Sequence, residues 1–282
     1  MLAEDRWRAG DPEDSLHRLQ EQVRKEPANA SLRVFLFQLL ALMGQWERAL
    51  TQLNVAGELD AGTLAMVQTY REALRCEVLR AEIFSGKRSP LVFGQPAEWF
   101  ALLLEAARLV GQAAGEQART VRERALAAAP ATPGSIDSVP FEWIMDGDNR
   151  LGPVLEAIVN GRYYWIPFQR IRSIQIEKPQ DLRDLVWMPA HFTWANGGES
   201  VGLIPTRYPD SEASPDPDIR RARRTEWLEQ GGGTYIGLGQ RMLFTDGGEY
   251  SLMDIRTIAF EYSADAGPNE RRATADAGEA VG

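Results

Sequence analysis

The sequence has a single cysteine, Cys76, among its 282 residues. One thiol excludes an intrachain disulfide and a thiolate metal cluster, and it fits a reducing compartment. Histidine is nearly as scarce, with only His17 and His191. No metal or cofactor is expected. Positive charge is also in short supply: 31 Lys and Arg stand against 40 Asp and Glu, a formal net charge of −9. A nucleic acid gripped through its phosphates favours a basic surface, so none is expected as a partner. The same charge repels anionic membrane surfaces. No apolar run approaches the ~20 residues that a membrane span needs, so membrane insertion is not expected. Residues 1–10 are charged and lack the apolar segment of a signal peptide. The expected location is the cytoplasm.

What is present is ordinary globular material, 44% hydrophobic and 25% charged, enough for one large or two smaller domains. Between residues 31 and 43 the apolar positions are Leu32, Phe35, Leu36, Leu39, Leu40 and Met43. Steps of three and four trace a helical face. Ser31 is a candidate cap, and Gly44 stands where a left-handed stop is easiest for glycine. Trp46, Ala49, Leu50 and Leu53 open a second amphipathic helix. Gly10 precedes Gly44 by 34 positions, the tetratricopeptide period, and Leu16 and Leu19 align with Leu50 and Leu53. A looser third unit opens at Gly115 and closes at Pro130. Residues 63–85 and 98–110 read as further helices. The expectation is a tetratricopeptide-like α-α superhelix over residues 1–129; an irregular bundle of α-hairpins is the alternative. Either leaves a concave face for a partner segment.

Residues 130–135 carry Pro130, Pro133 and Gly134, the chemistry of a linker. Beyond them the apolar period falls to two. Tyr163 and Trp165 alternate with Tyr164 and Ile166, and Ile174 and Ile176 follow at strand spacing. Residues 186–188 and 191–194 read as further strands. Asn196-Gly197-Gly198 is the best hairpin signal, leading into a strand over 201–205. Residues 205–217, rich in Pro, Ser and Asp, read as an exposed loop. A helical turn is expected near residues 180–184, and more strands over 223–228, 234–243 and 250–262. Residues 136–262 are therefore expected to form a β-rich α+β domain, which makes the chain a multidomain α+β protein. Residues 263–282 are small and polar and are expected to be disordered.

Several strings are long and unusual. They include Leu32-Arg33-Val34-Phe35-Leu36-Phe37-Gln38-Leu39-Leu40, Gly44-Gln45-Trp46-Glu47-Arg48-Ala49-Leu50 and Pro90-Leu91-Val92-Phe93-Gly94. In the second half stand Arg150-Leu151-Gly152-Pro153-Val154-Leu155-Glu156-Ala157, Asn160-Gly161-Arg162-Tyr163-Tyr164-Trp165 and Asp181-Leu182-Arg183-Asp184-Leu185-Val186-Trp187. Ile204-Pro205-Thr206-Arg207-Tyr208-Pro209 follows. With these, residues 1–262 resemble the ImpE/TagJ (SciE-type) family of type VI secretion accessory proteins. The resemblance implies a non-enzymatic adaptor that binds a helical segment of the small sheath subunit. It also implies a link to the ClpV-type unfoldase that recycles contracted sheaths. It brings no catalytic residues.

For partner contact, Phe35, Phe37, Trp46 and Tyr70 are the candidate apolar anchors on the helical half. Arg150, Tyr163 and Arg207 are the candidates for polar orientation on the other. A general peptide-binding helical-repeat chaperone is the alternative function. A hydrolase is a further one, because Gly198-Glu199-Ser200-Val201-Gly202 spells the nucleophile-elbow pattern with His191 nearby; but that pattern needs a strand-to-helix turn and a histidine after the serine. Glu142, Asp146 and Asp148 lack the later glutamate of a calcium loop and read as a solvated turn. Arg220, Arg221, Arg223 and Arg224 read as a solvated face balanced by Asp216, Asp218 and Glu226. The aromatics Trp143, Tyr163, Tyr164, Trp165, Trp187 and Trp194 are divided between the core and an interdomain or partner surface.

Overall fold

The computed structural model describes residues 12–93 and 96–261. Residues 1–11 of the expected helical half and the expected disordered tail over 263–282 lie outside them. The helical half contains α1 (Pro12–Lys25), α2 (Ala30–Leu42), α3 (Trp46–Leu59), α4 (Leu64–Phe84), α5 (Glu98–Gly111) and α6 (Gly115–Ala128). Helices α2 and α3 form one α-hairpin, and α5 and α6 another. The cap of α2 is Asn29 rather than Ser31: its side chain accepts from the Leu32 N–H. Gly44 adopts φ +68°, and a Cβ there would stand 2.4 Å from the Glu212 side chain. The stop therefore needs glycine twice over, for its backbone and for the close approach of the other half.

Helix α2 departs from a simple amphipathic helix. Residues 36–42 are all buried, including Gln38. The reason is that α2 packs against α1 and α3 and also against a 3-10 turn of the second half, Leu182–Leu185. A helix covered on most sides must be apolar on most sides.

A short strand, β1 (Leu91–Val92), leaves the helical half and joins the β half. There follow β2 (Gly134–Ile136), β3 (Val139–Phe141), β4 (Ile144–Asp146), β5 (Val154–Val159), β6 (Arg162–Pro167) and β7 (Ile171–Ile176). Then come β8 (Trp187–Trp194), β9 (Glu199–Pro205), β10 (Thr225–Glu229), β11 (Tyr235–Gly239), β12 (Met242–Thr245), β13 (Gly248–Ser251) and β14 (Thr257–Phe260). Among the described residues the main sheet runs β1-β6-β5-β9-β8-β7-β14-β2-β3. A three-stranded sheet, β13-β12-β4, and a ribbon, β10-β11, complete it. The Asn196-Gly197-Gly198 turn does join a hairpin, β8 to β9. Residues 186–188 and 191–194 form one strand across Pro189, not two. Pairing of β8 with β7 ends at Ala190, so the missing N–H of Pro189 breaks no ladder on that side.

Residues 205–217 are not an exposed loop. Positions 205–209 are buried, as are Ser211 and Ser214. Polar composition misled because the segment's hydrogen bonds are internal: Ser211 donates to the Tyr208 carbonyl at 2.6 Å and accepts from the Gly239 N–H at 2.7 Å.

Two cores share the main sheet. Val154, Ile158, Tyr163, Trp165, Trp187 and Leu203 join the helices in one. Leu155, Ala157, Val159, Ile166, Met188 and Ile204 join β4, β12 and β14 residues in the other. Strict alternation along β5 and β6 thus places one set under the helices and the other away from them.

Candidate functional site at the interdomain seam

Alternation puts Glu156, in the middle of β5, on the same face as Val154 and Ile158, beneath the helices. It is fully buried. On α4, Glu77, Arg80 and Phe84 recur at three and four positions and share one face. Arg80 closes a fork on Glu156, with Nε to Oε2 at 2.6 Å and Nη2 to Oε1 at 3.0 Å. The same guanidinium donates to the Arg207 carbonyl at 2.7 Å. Glu156 also accepts from the Tyr163 hydroxyl and from Arg241, and Arg241 in turn pairs with Asp146. Arg207 reaches back across the seam and donates to the Leu42 carbonyl at the end of α2, at 2.9 Å. Arg150 clamps Asp148 at 2.6 Å and lies 4.3 Å over the Phe84 ring. Arg80, Arg150, Arg207 and Arg241 thus face Glu77, Asp146, Asp148 and Glu156, and the buried charges cancel.

An aromatic layer lies beside them. Trp187, fully buried, has Tyr70 at 5.7 Å and Trp46 at 6.1 Å between ring centroids, and Phe37 stands 5.8 Å from Tyr70. The Trp187 indole donates to Glu77 Oε1 at 2.8 Å. Phe84 meets Trp165 at 5.4 Å. At the far end, Arg122 of α6 donates to the Thr234 hydroxyl at 2.6 Å.

Burial raises the Glu156 carboxyl, but Arg80 and Arg241 outweigh it and hold it down at about 2. Burial pushes Asp146 up to about 6, against Arg241 and with help from Asp148. The two signs oppose each other. Glu156 contributes stability that is present above the ordinary carboxylate range and lost as pH falls toward 2. Asp146 contributes stability that is present at low pH and lost as pH rises through 6. The melting temperature should therefore rise from pH 7 to 5 and fall again below pH 4.5. In Asp146→Asn the rise between pH 7 and 5 should shrink relative to the parent; an unchanged slope would assign it to other groups.

Six of the seven candidate contact residues lie in or beside this seam, and Phe35 packs on α2 against the core that the helices share with it. Phe37, Tyr70, Arg150, Tyr163 and Arg207 are buried in it, while Phe35 and Trp46 are half-buried. Asp146 and Asp148 do not form a solvated turn: both are buried and paired with arginine, because the turn folds inward under β11 and β12. Glu142 is exposed. Of the basic cluster, Arg223 and Arg224 are exposed and face Asp218 and Asp216 as expected, but Arg221 is buried and Arg220 reaches Glu13 of α1. Ser200 pairs with Phe192 and His191 with Val201, so alternation sends Ser200 and His191 to opposite faces. The Ser200 hydroxyl accepts from the Trp194 indole at 3.1 Å instead. No described group of three His, Cys, Asp or Glu residues could hold a metal ion.

The helical half also carries an open groove of about 420 Å³ between α3 and α4, lined by Leu50, Asn54, Gly57, Glu58, Leu64, Val67, Arg71 and Arg75. Leu64 is 55% exposed there. Arg71 is held by Asn54 Oδ1 at 2.9 Å.

A helical repeat with an open groove, locked by buried charge onto a β-rich half, defines a tetratricopeptide-type scaffold. The tetratricopeptide-repeat pattern matches residues 6–74, and the ImpE protein family matches residues 138–259. The chain belongs to the ImpE/TagJ family: it is 54% identical, over 93% of its length, to the type VI secretion system accessory component TagJ of Pseudomonas aeruginosa, of which it covers 92%. The fold is shared with a crystal structure of a Vibrio parahaemolyticus protein, with TM-score 0.83 at 22% identity, covering 93% of this chain and 98% of that one. No described helix is long and apolar enough to cross a membrane.

Proposed function

We propose that this accessory component is a non-enzymatic cytoplasmic adaptor whose α3–α4 groove receives an amphipathic helix from the small sheath subunit of a type VI secretion system. The observation that carries the reading is the exposed Leu64 on a groove that holds two cations, Arg71 and Arg75, against one acid, Glu58: apolar anchors with a net positive flank suit a helix with an acidic border. Leu50 and Val67 supply the further apolar contacts in this reading, while Phe35 and Trp46, which do not line the groove, support it from the helical core. Phe37, Tyr70, Arg150, Tyr163 and Arg207 serve by holding the β half in register, so that a second partner, the ClpV-type unfoldase, meets a fixed geometry.

The test is a titration with the terminal helical peptide of the cognate small sheath subunit. Saturable binding at micromolar concentration is expected, and Leu64→Asp should weaken it by roughly tenfold or more, the loss of one buried anchor. Absence of saturable binding sinks the proposal. Equal binding of unrelated amphipathic helices would favour a general peptide-binding chaperone.

A further inference from the structure

One face of α4 runs on beyond the α3–α4 groove. Leu64, Gln68, Arg71, Arg75, Val78 and Glu82 recur at steps of four and three. A period of 3.5 residues is the pattern of a coiled-coil contact stripe. Its two apolar members stand fourteen positions apart, about 21 Å along the helix axis. Both face outward: Leu64 is 55% exposed and Val78 53%. Tyr70, Ala73, Glu77 and Arg80 occupy the opposite side of α4 and are buried. Packing within the chain therefore makes no demand for a valine at 78.

Charge along the stripe is ordered. Its middle is cationic: Arg71 is tied to Asn54 Oδ1 at 2.9 Å, and Arg75 reaches Glu72 at 2.7 Å with 63% of its side chain still exposed. Glu82, at the far end, is matched by Arg88 at 2.9 Å. Two cations thus lie between two apolar ends. Helices that cross at about 20° stay in contact along a stripe of this period, and a polar residue within it fixes register and sign at a cost in affinity. A helix with basic residues at the middle positions would meet like charge and be rejected.

We propose that the partner helix spans the whole stripe from Leu64 to Val78, about four turns, with an apolar residue over each end and acidic residues over Arg71 and Arg75. The inference rests on the reading of the α3–α4 groove as a helix site, and adds the length and the charge order of what it accepts. Val78 is the second anchor, outside the groove itself. Arg75, the more exposed of the two cations, is the residue that selects acidic helices over basic ones.

The probe is an alanine-rich helical peptide of roughly 18 residues. It carries two leucines fourteen positions apart, with glutamates three, seven and eleven positions after the first, so that it reads the same in either direction. The full chain should bind it saturably, and a version with lysines in place of the glutamates about tenfold more weakly or worse. Arg75→Glu, an exposed substitution, should weaken the glutamate probe and strengthen the lysine one. Val78→Asp should weaken the glutamate probe about tenfold, and should have no effect on a probe truncated before its second leucine. The cognate sheath helix is titrated alongside. If the glutamate probe binds and the sheath helix does not, the sheath reading fails and the stripe stands. If the sheath helix binds and is weakened by Leu64→Asp, yet Val78→Asp and Arg75→Glu leave both it and the probe unchanged, the stripe fails and the sheath reading stands. No saturable binding of the glutamate probe, or equal affinity for the glutamate and lysine probes, would also overturn the proposal.

Discussion

Arg80→Ala should destabilise the protein by roughly 3–5 kcal/mol, the usual cost of breaking a buried ion pair from one side. Arg80 touches Glu77, Glu156 and the Arg207 carbonyl, so its removal leaves three acceptors short of a donor. Glu156 retains Arg241 and Tyr163. Glu77 retains only the Trp187 indole as a described hydrogen-bond donor. The damage should therefore concentrate on Glu77, whose carboxyl is already raised by burial and held back by Arg80. Two consequences follow from that assignment. The loss should be smaller at pH 5 than at pH 8, because a raised carboxyl takes a proton and sheds its uncompensated charge. It should also be smaller when measured in a Glu77→Gln background. Urea denaturation read by far-ultraviolet circular dichroism at both pH values checks each. A loss equal at pH 5 and 8 and unchanged by Glu77→Gln would assign the effect to packing at Phe84, over which Arg80 also lies at 5.6 Å.

The network is weak evidence for net stability, since replacing a buried pair by apolar residues is often neutral. Its physical value is in register. A charged group on β5 can be buried here only if a guanidinium lands on it, so sliding the helices along the sheet breaks the Arg80–Glu156 fork together with the bonds from Arg80 to the Arg207 carbonyl and from Arg207 to the Leu42 carbonyl. Apolar packing alone would tolerate such a slip. That makes the seam a device for fixing the angle between the groove and the β half.

Much of the fold was legible in the chain because local chemistry wrote it. The spacing of Leu32, Phe35, Leu36, Leu39 and Leu40 gave α2, and Asn196-Gly197-Gly198 gave the β8–β9 hairpin. The seam was not legible, because its partners are far apart in sequence. Arg80 and Glu156 are ordinary charged residues until α4 crosses β5. One signal was present: Glu156 is a lone charge inside Val154-Leu155-Glu156-Ala157-Ile158-Val159, and a carboxylate in a buried strand requires a cation from elsewhere. Asp146 and Asp148 read as solvated for the opposite reason. Gly147 between them suggests an open turn, but a Cβ at that position would lie 2.4 Å from the Trp227 ring. The glycine is there for close packing. Six of the seven candidate residues clustered in space because aromatics and arginines gather wherever two surfaces meet, and here the described surfaces are the chain's own halves.

Trp187 joins the apolar and ionic parts of the seam in one side chain, so its substitutions should separate the two. Trp187→Ala removes a fully buried ring and should cost about 3–5 kcal/mol from cavity formation alone. It also strips Glu77 of its indole donor, which adds roughly 1–3 kcal/mol for a buried acceptor left unpaired. Trp187→Phe keeps an aromatic body between Trp46 and Tyr70 and removes only the donor. It should therefore cost closer to the second figure than to the sum. Equilibrium denaturation of the three proteins gives both differences. Should Trp187→Phe cost as much as Trp187→Ala, the hydrogen bond to Glu77 governs the seam and the ring is incidental. Should Trp187→Phe cost nothing, Glu77 has taken up its proton, and the loss in Trp187→Ala is packing. Because Trp46 and Tyr70 come from the helical half and Trp187 from the β half, the alanine variant should also split a single unfolding transition into two. Loss of shared cooperativity is what separates a joint between the halves from an internal core position.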